Sequence, residues 1–269
     1  MTSDSHLFRE ERLRLILERL TAEKKVFVTE LAKQFGLSAS SIRNDLSELQ
    51  SRGLLVRTYG GGMLAEHANT HLVMHKSALQ LRAEMQRAEK DAIGRAAADL
   101  VSDGDTIMID GGSTTDYVVR HLSSKHALTI VTNATSLLPN LLAIPDAEIH
   151  LTGGFLHREY QTLLGEACIE TLSRFRATKA ILGIDGVSLQ SGFTATNAFV
   201  AAAKRKMIAA SETVIFVCDS TKFGQVCLMP IARFEEVDYL VTDTGAPRHL
   251  VDAIEQRGTK VILADASQS

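Results

Sequence analysis

Residues 28–62 read VTELAKQFGLSASSIRNDLSELQSRGLLVRTYGGG, and this stretch decides how the N-terminal end is built. Leu31, Ala32 and Phe35 form the apolar stripe of a short helix, Gly36 permits a sharp turn, and Ser38 is placed to cap the helix that follows. In that second helix Ile42, Leu46 and Leu49 fall at i, i+4 and i+7, so they point inward. Ser40, Ser41, Arg43, Asn44 and Ser47 are left on or near the outer faces, where hydroxyl, amide and guanidinium groups suit base edges and phosphates. Leu54, Leu55 and Val56 make a short strand. Arg57, Thr58 and Tyr59 then lead into Gly60, Gly61 and Gly62, whose bare backbone allows close approach to a phosphate or a minor groove. Upstream, Leu13, Ile16, Leu17 and Leu20 complete a three-helix core. The layout is that of a winged helix-turn-helix, which makes double-stranded DNA the first partner to expect. The candidate DNA contacts are Ser38, Ser40, Ser41, Arg43, Asn44, Arg57, Tyr59, Gly60 and Gly61.

At 269 residues and 45% hydrophobic, the chain has room for a helical head and a larger core domain. Through Ala65 it carries ten Lys and Arg against eight Asp and Glu; the remainder carries 19 against 24. A mildly positive head on an acidic body suits a protein that touches phosphates with one end only. Cys168, Cys218 and Cys227 have no C-x-x-C spacing and read as free thiols in a reducing cytosol. The nine histidines are scattered, so no metal is expected. No apolar run reaches membrane-spanning length and the N-terminus is polar, so the expected location is cytoplasmic, with no membrane contact.

Met63 to His75 is polar and His-rich, and residues 63–78 are read as a linker between a head at 1–62 and a second domain at 79–269. A helix is expected from about Leu79 to Leu100, with Ile93, Ala96, Ala97 and Leu100 packed. Beyond it, apolar runs alternate with helical segments. The candidate strands cover residues 106–110, 128–132, 148–152, 179–185, 213–219, 237–242 and 260–265. Such runs argue for an α/β fold with a mainly parallel, doubly wound sheet, whose ligands bind beyond the carboxyl ends of the strands.

Those ends are well furnished. Asp110, Gly111, Gly112, Ser113, Thr114 and Thr115 follow the first, Asn133 the second, Gly153 and Gly154 the third, Asp185 and Gly186 the fourth, and Asp219 to Lys222 the fifth. Small residues, hydroxyls and free N–H groups at a helix start favour an anion, so the Gly111 to Thr115 loop is the candidate phosphate cradle. Lys222 supplies a positive charge, while Asp110, Asn133 and Asp185 suit hydroxyls. The loop is neither a Walker A nor a G-x-G-x-x-G element, and no cofactor is expected.

The chain resembles the DeoR-type bacterial transcription regulators. Their N-terminal signature is matched by Val28, Leu31, Ala32, Leu37, Ser38, Ser41, Ile42, Arg43, Asp45, Leu46, Leu49, Gly53, Arg57, Gly60 and Gly61. Ser41, Asn44 and Tyr59 replace the usual Thr, Arg and His, and Asn44 bears on which operator bases are read. The resemblance continues through Asp110 to Thr115, Thr132 to Asn133, Thr152 to Gly154, Gly183 to Gly186 and Asp219 to Gly224. It implies a sugar-phosphate-isomerase-like effector domain, a phosphorylated sugar or polyol as ligand, and phosphate on Ser113, Thr114 and Thr115 near Lys222. It also implies a homo-oligomer, dimer or tetramer. Where the family reads E-A-x-V-K-R, this chain has Val200, Ala201, Ala202, Ala203, Lys204 and Arg205, so a carboxylate is missing. The expected function is a metabolite-controlled repressor of a carbohydrate or polyol operon. The alternative is a sugar-phosphate isomerase carrying a DNA-binding head, but aldose–ketose isomerisation needs a positioned base; Val200 cannot supply one, and the other candidates, Asp185 and Asp110, are not marked by a nearby partner in sequence.

Overall fold

The helical periodicity of the N-terminal end folds as three helices around one small core. The computed structural model describes residues 9–23, 25–51, 55–58, 61–64 and 85–268. It divides into two units, Met1–His75 and Lys76–Ser269.

In the first unit, α1 (Arg9–Glu23), α2 (Val28–Phe35) and α3 (Ala39–Ser51) bury Leu13, Ile16, Leu20, Leu31, Ile42, Leu46 and Leu49 together. Gly36 ends α2 in the left-handed conformation (φ 66°), and Leu37 N–H returns to Ala32 O at 3.0 Å. Ser38 caps α3, its Oγ accepting from Ser41 N–H at 3.1 Å. Arg12 reaches from α1 to clasp buried Asp45 of α3 through two bonds, at 2.6 and 3.1 Å, and this carboxylate holds the guanidinium pKa above its ordinary value. Asp45→Ala strands that cation against the core, and the expected loss is about 3 kcal/mol of first-unit stability, read as a lower urea midpoint.

The wing differs from the sequence expectation. β1 (Lys25–Phe27), β3 (Gly61–Leu64) and β2 (Leu55–Thr58) form an antiparallel sheet in that order, so a strand preceding α2 joins the hairpin. Met63 and Leu64 pair with Val56 and Leu55 and so belong to the sheet, which corrects the start of the linker at 63. Gly61 and Gly62 are buried. A Cβ on Gly61 would lie 2.0 Å from Val26 O, so this glycine is required by the approach of β1 and is not a free phosphate contact. Leu54, Tyr59, Gly60, residues 65–78 and the expected helix start at 79–84 lie outside the described residues, and of Arg57 only the backbone is described.

All seven expected strands form one parallel sheet. They are β4 (Thr106–Ile109), β5 (Thr129–Thr132), β6 (Glu148–Leu151), β9 (Ala177–Gly183), β12 (Ser211–Val217), β14 (Tyr239–Asp243) and β15 (Lys260–Ala264). Their order is β15-β14-β12-β9-β4-β5-β6. Side-chain alternation covers both faces. Ile107, Ile109, Ile181, Ile215 and Val217 pack under α4 (Arg87–Ala98), α5 (Ser113–Arg120) and α6 (Leu138–Leu141). Met108, Ala180, Leu182, Val214 and Phe216 pack under α7 (Glu166–Ser173), α8 (Ala198–Ala209) and α9 (Arg248–Glu255). The layering is doubly wound, as expected.

Two additions were not read from sequence. β7 (Phe155–His157) and β8 (Thr162–Leu164) form a hairpin, and β10 (Gly186–Ser188), β11 (Gly192–Ala195) and β13 (Met229–Ala232) form a small antiparallel sheet.

Candidate functional site

β4 and β9 are neighbours in the sheet, yet the chain runs from β4 out to β5 and β6 and from β9 out to β12, β14 and β15. Loops that leave adjacent strands in opposite directions open a crevice at the carboxyl ends, which is where open α/β sheets bind ligands. A cavity lies there. Its wall comprises Asp110 to Thr114 after β4, Asn133 after β5, Tyr160 and Thr162 of the hairpin, and Gly183 to Asp185 after β9. Thr196, Val200, Ala203, Lys204 and Lys222 close it.

One part of this wall suits an anion. α5 starts at Ser113 after an extended Gly112 that offers no side-chain cap, so first-turn N–H groups and the helix dipole face whatever binds there. Lys222 stands on a short turn whose start is held by Asp219, the carboxylate accepting from Thr221 N–H at 3.2 Å. Lys222 makes no ion pair among the described residues.

Another part is already neutralised. Lys204 donates to Asp110 and to Gly183 O (2.8 Å), and the same carboxylate accepts from Gly183 N–H at 2.9 Å. Both side chains are about 5% exposed. Burial pushes the Asp110 carboxyl above its ordinary value, against the pull of the Lys204 ammonium. Asp185 is likewise engaged, accepting from Thr196 N–H and Oγ–H at 3.0 Å each. The Tyr160 hydroxyl lies 3.4 Å from Thr196 Oγ1, which links the hairpin tip to this network. A second buried pair, Lys90 of α4 and Asp219 at 3.7 Å, supports the turn that carries Lys222.

Of the residues singled out in sequence, Asp110, Gly111, Gly112, Ser113, Thr114, Asn133, Asp185 and Lys222 are brought together in this wall. Four are not. Thr115 turns its hydroxyl inward to Asp110 O (2.9 Å) and Gly112 O (3.1 Å), so it ties the loop and offers the ligand no oxygen. Gly153 packs toward α7, a Cβ there lying 3.5 Å from that of Ala167. Gly154 turns the chain into β7 at φ 123° against Leu164 O, and Gly186 is required by the close approach of Gln225 O. Sequence reading passed over Tyr160, Thr162, Thr196 and Lys204. The signal for Lys204 was present: Ala201, Lys204 and Met207 recur at three-residue intervals and all three are buried, so the lysine falls on an inward stripe.

In the first unit, Ser40, Arg43 and Asn44 are exposed on α3 and Ser41 is half-buried. Ser38 is exposed, but its oxygen serves as the α3 cap.

The comparisons with known proteins agree with this layout. Residues 85–244 match the DeoR C terminal sensor domain, and residues 12–68 match the DeoR-like helix-turn-helix domain. The chain belongs to the DeoR family. It is therefore a DNA-binding transcription regulator, with its reading head first and its sensor domain second. Among DeoR-family relatives it is similar to a putative aga operon transcriptional repressor of Escherichia coli O157:H7, at 28% identity over 94% of this chain and 93% of that protein. It is 31% identical to the glycerol-3-phosphate regulon repressor of Escherichia coli K12 over 86% of this chain and 90% of that protein. Among solved structures, ribose 5-phosphate isomerase from Plasmodium falciparum is similar over 50% of this chain and 52% of that one, with 15% identity and a TM-score of 0.36.

Among the described residues no helix is long and apolar enough to cross a membrane, and no group of three His, Cys, Asp or Glu is placed to hold a metal ion. Cys168 and Cys218 are buried free thiols, and burial pushes the Cys218 thiol up, away from reactivity.

Proposed function

We propose that this DeoR-family regulator represses an operon for the use of a carbohydrate or polyol and leaves its operator when a phosphorylated sugar or polyol fills the cavity at the β4/β9 switch point. The observation that carries the reading is the combination, in one wall, of an uncapped helix start, a lysine with no ion pair among the described residues and a set of small polar groups. The names of the relatives, repressors of an aga operon and of a glycerol-3-phosphate regulon, support it. The contacts proposed for the phosphate are Gly111, Gly112, Ser113, Thr114 and Lys222; those for hydroxyls are Asp110, Asn133 and Asp185. For DNA they are Ser40, Ser41, Arg43 and Asn44 of α3, with Arg57 on the wing. A pair of heads from a homo-oligomer would read half-sites one helical turn or a multiple apart. Binding there weakens steeply with salt.

The chemistry of the wall speaks against the enzyme reading. Both cavity carboxylates are committed to protein donors, Asp110 to Lys204 and Gly183 and Asp185 to Thr196, and Val200 brings an apolar surface. Among the described residues of the wall, no carboxylate is left poised to shuttle a proton between sugar carbons.

The test is operator binding by the full-length protein, titrated with phosphorylated sugars and polyols and with their unphosphorylated parents. Release by one phosphorylated compound and not by its parent is the expected outcome; tight binding indifferent to every compound refutes the effector class. Arg43→Ala is expected to weaken operator binding about tenfold with effector affinity unchanged. Lys222→Ala is expected to keep operator affinity and raise the effector concentration needed for release by about tenfold or more. Turnover of any of these phosphates by the purified protein would restore the enzyme.

A further inference from the structure

Two residues of the cavity wall each carry a buried side-chain oxygen with no hydrogen-bond partner among the described residues. The oxygens are Asn133 Oδ1 and Thr162 Oγ1, on residues 3% and 4% exposed. Local geometry fixes how each is aimed. Asn133 accepts from Leu163 N–H on its backbone oxygen (2.7 Å) and donates its Nδ2 to Leu163 O (3.1 Å). Exchanging the amide nitrogen and oxygen would set two carbonyl oxygens against each other, so Oδ1 is held as the unpaired atom. Thr162 places its methyl against Gly111: a Cβ on that glycine would lie 2.4 Å from Cγ2. The methyl therefore occupies that side, and the hydroxyl is turned elsewhere.

These two atoms are part of a concentration. Of five buried side-chain polar atoms without a partner among the described residues, four belong to residues 133–136 and 157–162: Asn133 Oδ1, Ser136 Oγ, His157 Nδ1 and Thr162 Oγ1. Buried polar atoms in folded proteins are nearly always paired, and of these four residues Asn133 and Thr162 line the cavity, where a bound molecule can supply the partners.

We infer that Asn133 and Thr162 set the specificity of the sensor domain by reading a hydroxyl group of the effector, an inference that rests on the effector reading above. An amide oxygen only accepts, so what meets Asn133 must donate: a sugar hydroxyl does, whereas a phosphate dianion is repelled and a methylene has nothing to give. Lys204 adds the complementary demand. Two of its three N–H bonds go to Asp110 and Gly183 O, and the third, with no partner among the described residues, is available to a ligand oxygen. A hydroxyl-bearing carbon chain meets both demands. A site built around such pairs rejects an analogue that lacks the hydroxyl, because its own buried groups are then left unpaired.

The experiment is calorimetric titration of the full-length protein with ribose 5-phosphate, glucose 6-phosphate, fructose 6-phosphate, glycerol 3-phosphate and inorganic phosphate. The tightest organic phosphate is then compared with its mono-deoxy analogues. The wild-type protein is expected to bind it at least tenfold more tightly than one of those analogues. Thr162→Val, which keeps the methyl against Gly111, and Asn133→Ala should each shrink that gap to under threefold while leaving inorganic phosphate affinity unchanged. Thr162→Val should also keep the wild-type thermal midpoint, since its hydroxyl makes no hydrogen bond among the described residues. Variants that retain the full gap overturn the inference and leave the effector class standing; so do variants that weaken inorganic phosphate as much as the sugar phosphate. If no phosphorylated compound binds the wild-type protein, the effector class falls and the inference with it.

Discussion

Lys204→Met is expected to cost the second unit about 3–5 kcal/mol at pH 8, the usual result of removing one partner from a buried ion pair. The methionine keeps most of the volume of the stem but leaves Asp110, among the described residues, with only the Gly183 N–H and with no countercharge. The loss has a defined pH dependence. Burial already holds the Asp110 carboxyl above its ordinary value, and without Lys204 it rises further. The folded protein then binds a proton more readily than the unfolded chain, so stability falls as pH rises through the window between the unfolded and folded values. The deficit should therefore be largest above the folded value and shrink on acidification toward the ordinary carboxylate range. Urea melts at pH 8 and pH 5.5 measure it. Adding Asp110→Asn should recover a large part of the loss, because the orphaned charge is gone. A Lys204→Met protein within 1 kcal/mol of wild type at both pH values would mean that the pair does not hold the β4 and β9 loops together.

Gly61→Ala is expected to remove operator binding while leaving the sensor domain intact. The added methyl must enter space 2.0 Å from Val26 O, and the obstacle is strand backbone, which no rotamer change can clear. Either β1 separates from β3 or the wing shifts as a whole, and overpacking of this kind costs about 3 kcal/mol or more. The first unit is small and depends on one cluster of apolar side chains, so that cost is a large part of its stability. The core of the second unit is built from other residues. Fluorescence anisotropy on operator DNA should show binding weakened at least a hundredfold, and effector titration should give the wild-type affinity. Normal operator binding by Gly61→Ala would show that the wing tolerates separation from β1.

The architecture was largely legible because both units rest on strong periodic signals. The helices carry apolar residues at i, i+4 and i+7, and the inner strands of the sheet, such as β4, β9 and β12, carry apolar runs, since a parallel sheet buried on both faces needs them. The small strands were not legible, for the opposite reason. β8 is three residues long and β13 contains Pro230, so neither offers the length or the alternation by which a strand is recognised. The site followed the same division. Loops that close on the cavity directly after an apolar strand of the main sheet, such as Asp110 to Thr114 after β4, could be placed from the strand itself. Tyr160 and Thr162 reach the cavity through the hairpin and Thr196 through the small sheet, so nothing local marks them. The four misplaced residues share a cause too. Glycine and threonine after a strand serve the turn as readily as a ligand, and the backbone contacts at Gly154, Gly186 and Thr115 show which use prevails.

The spread of the cavity along the chain has a consequence for the newborn protein. β3, the last described strand of the winged unit, ends at Leu64, and when it has been made the cavity wall still lacks Lys204 and then Lys222. About 160 residues separate Leu64 from Lys222, and at ordinary rates of synthesis they take roughly ten to thirty seconds, during which N-terminal domains fold first. Each chain thus passes through an interval on the ribosome in which the helices and wing of its head have been made while the cavity wall is still incomplete.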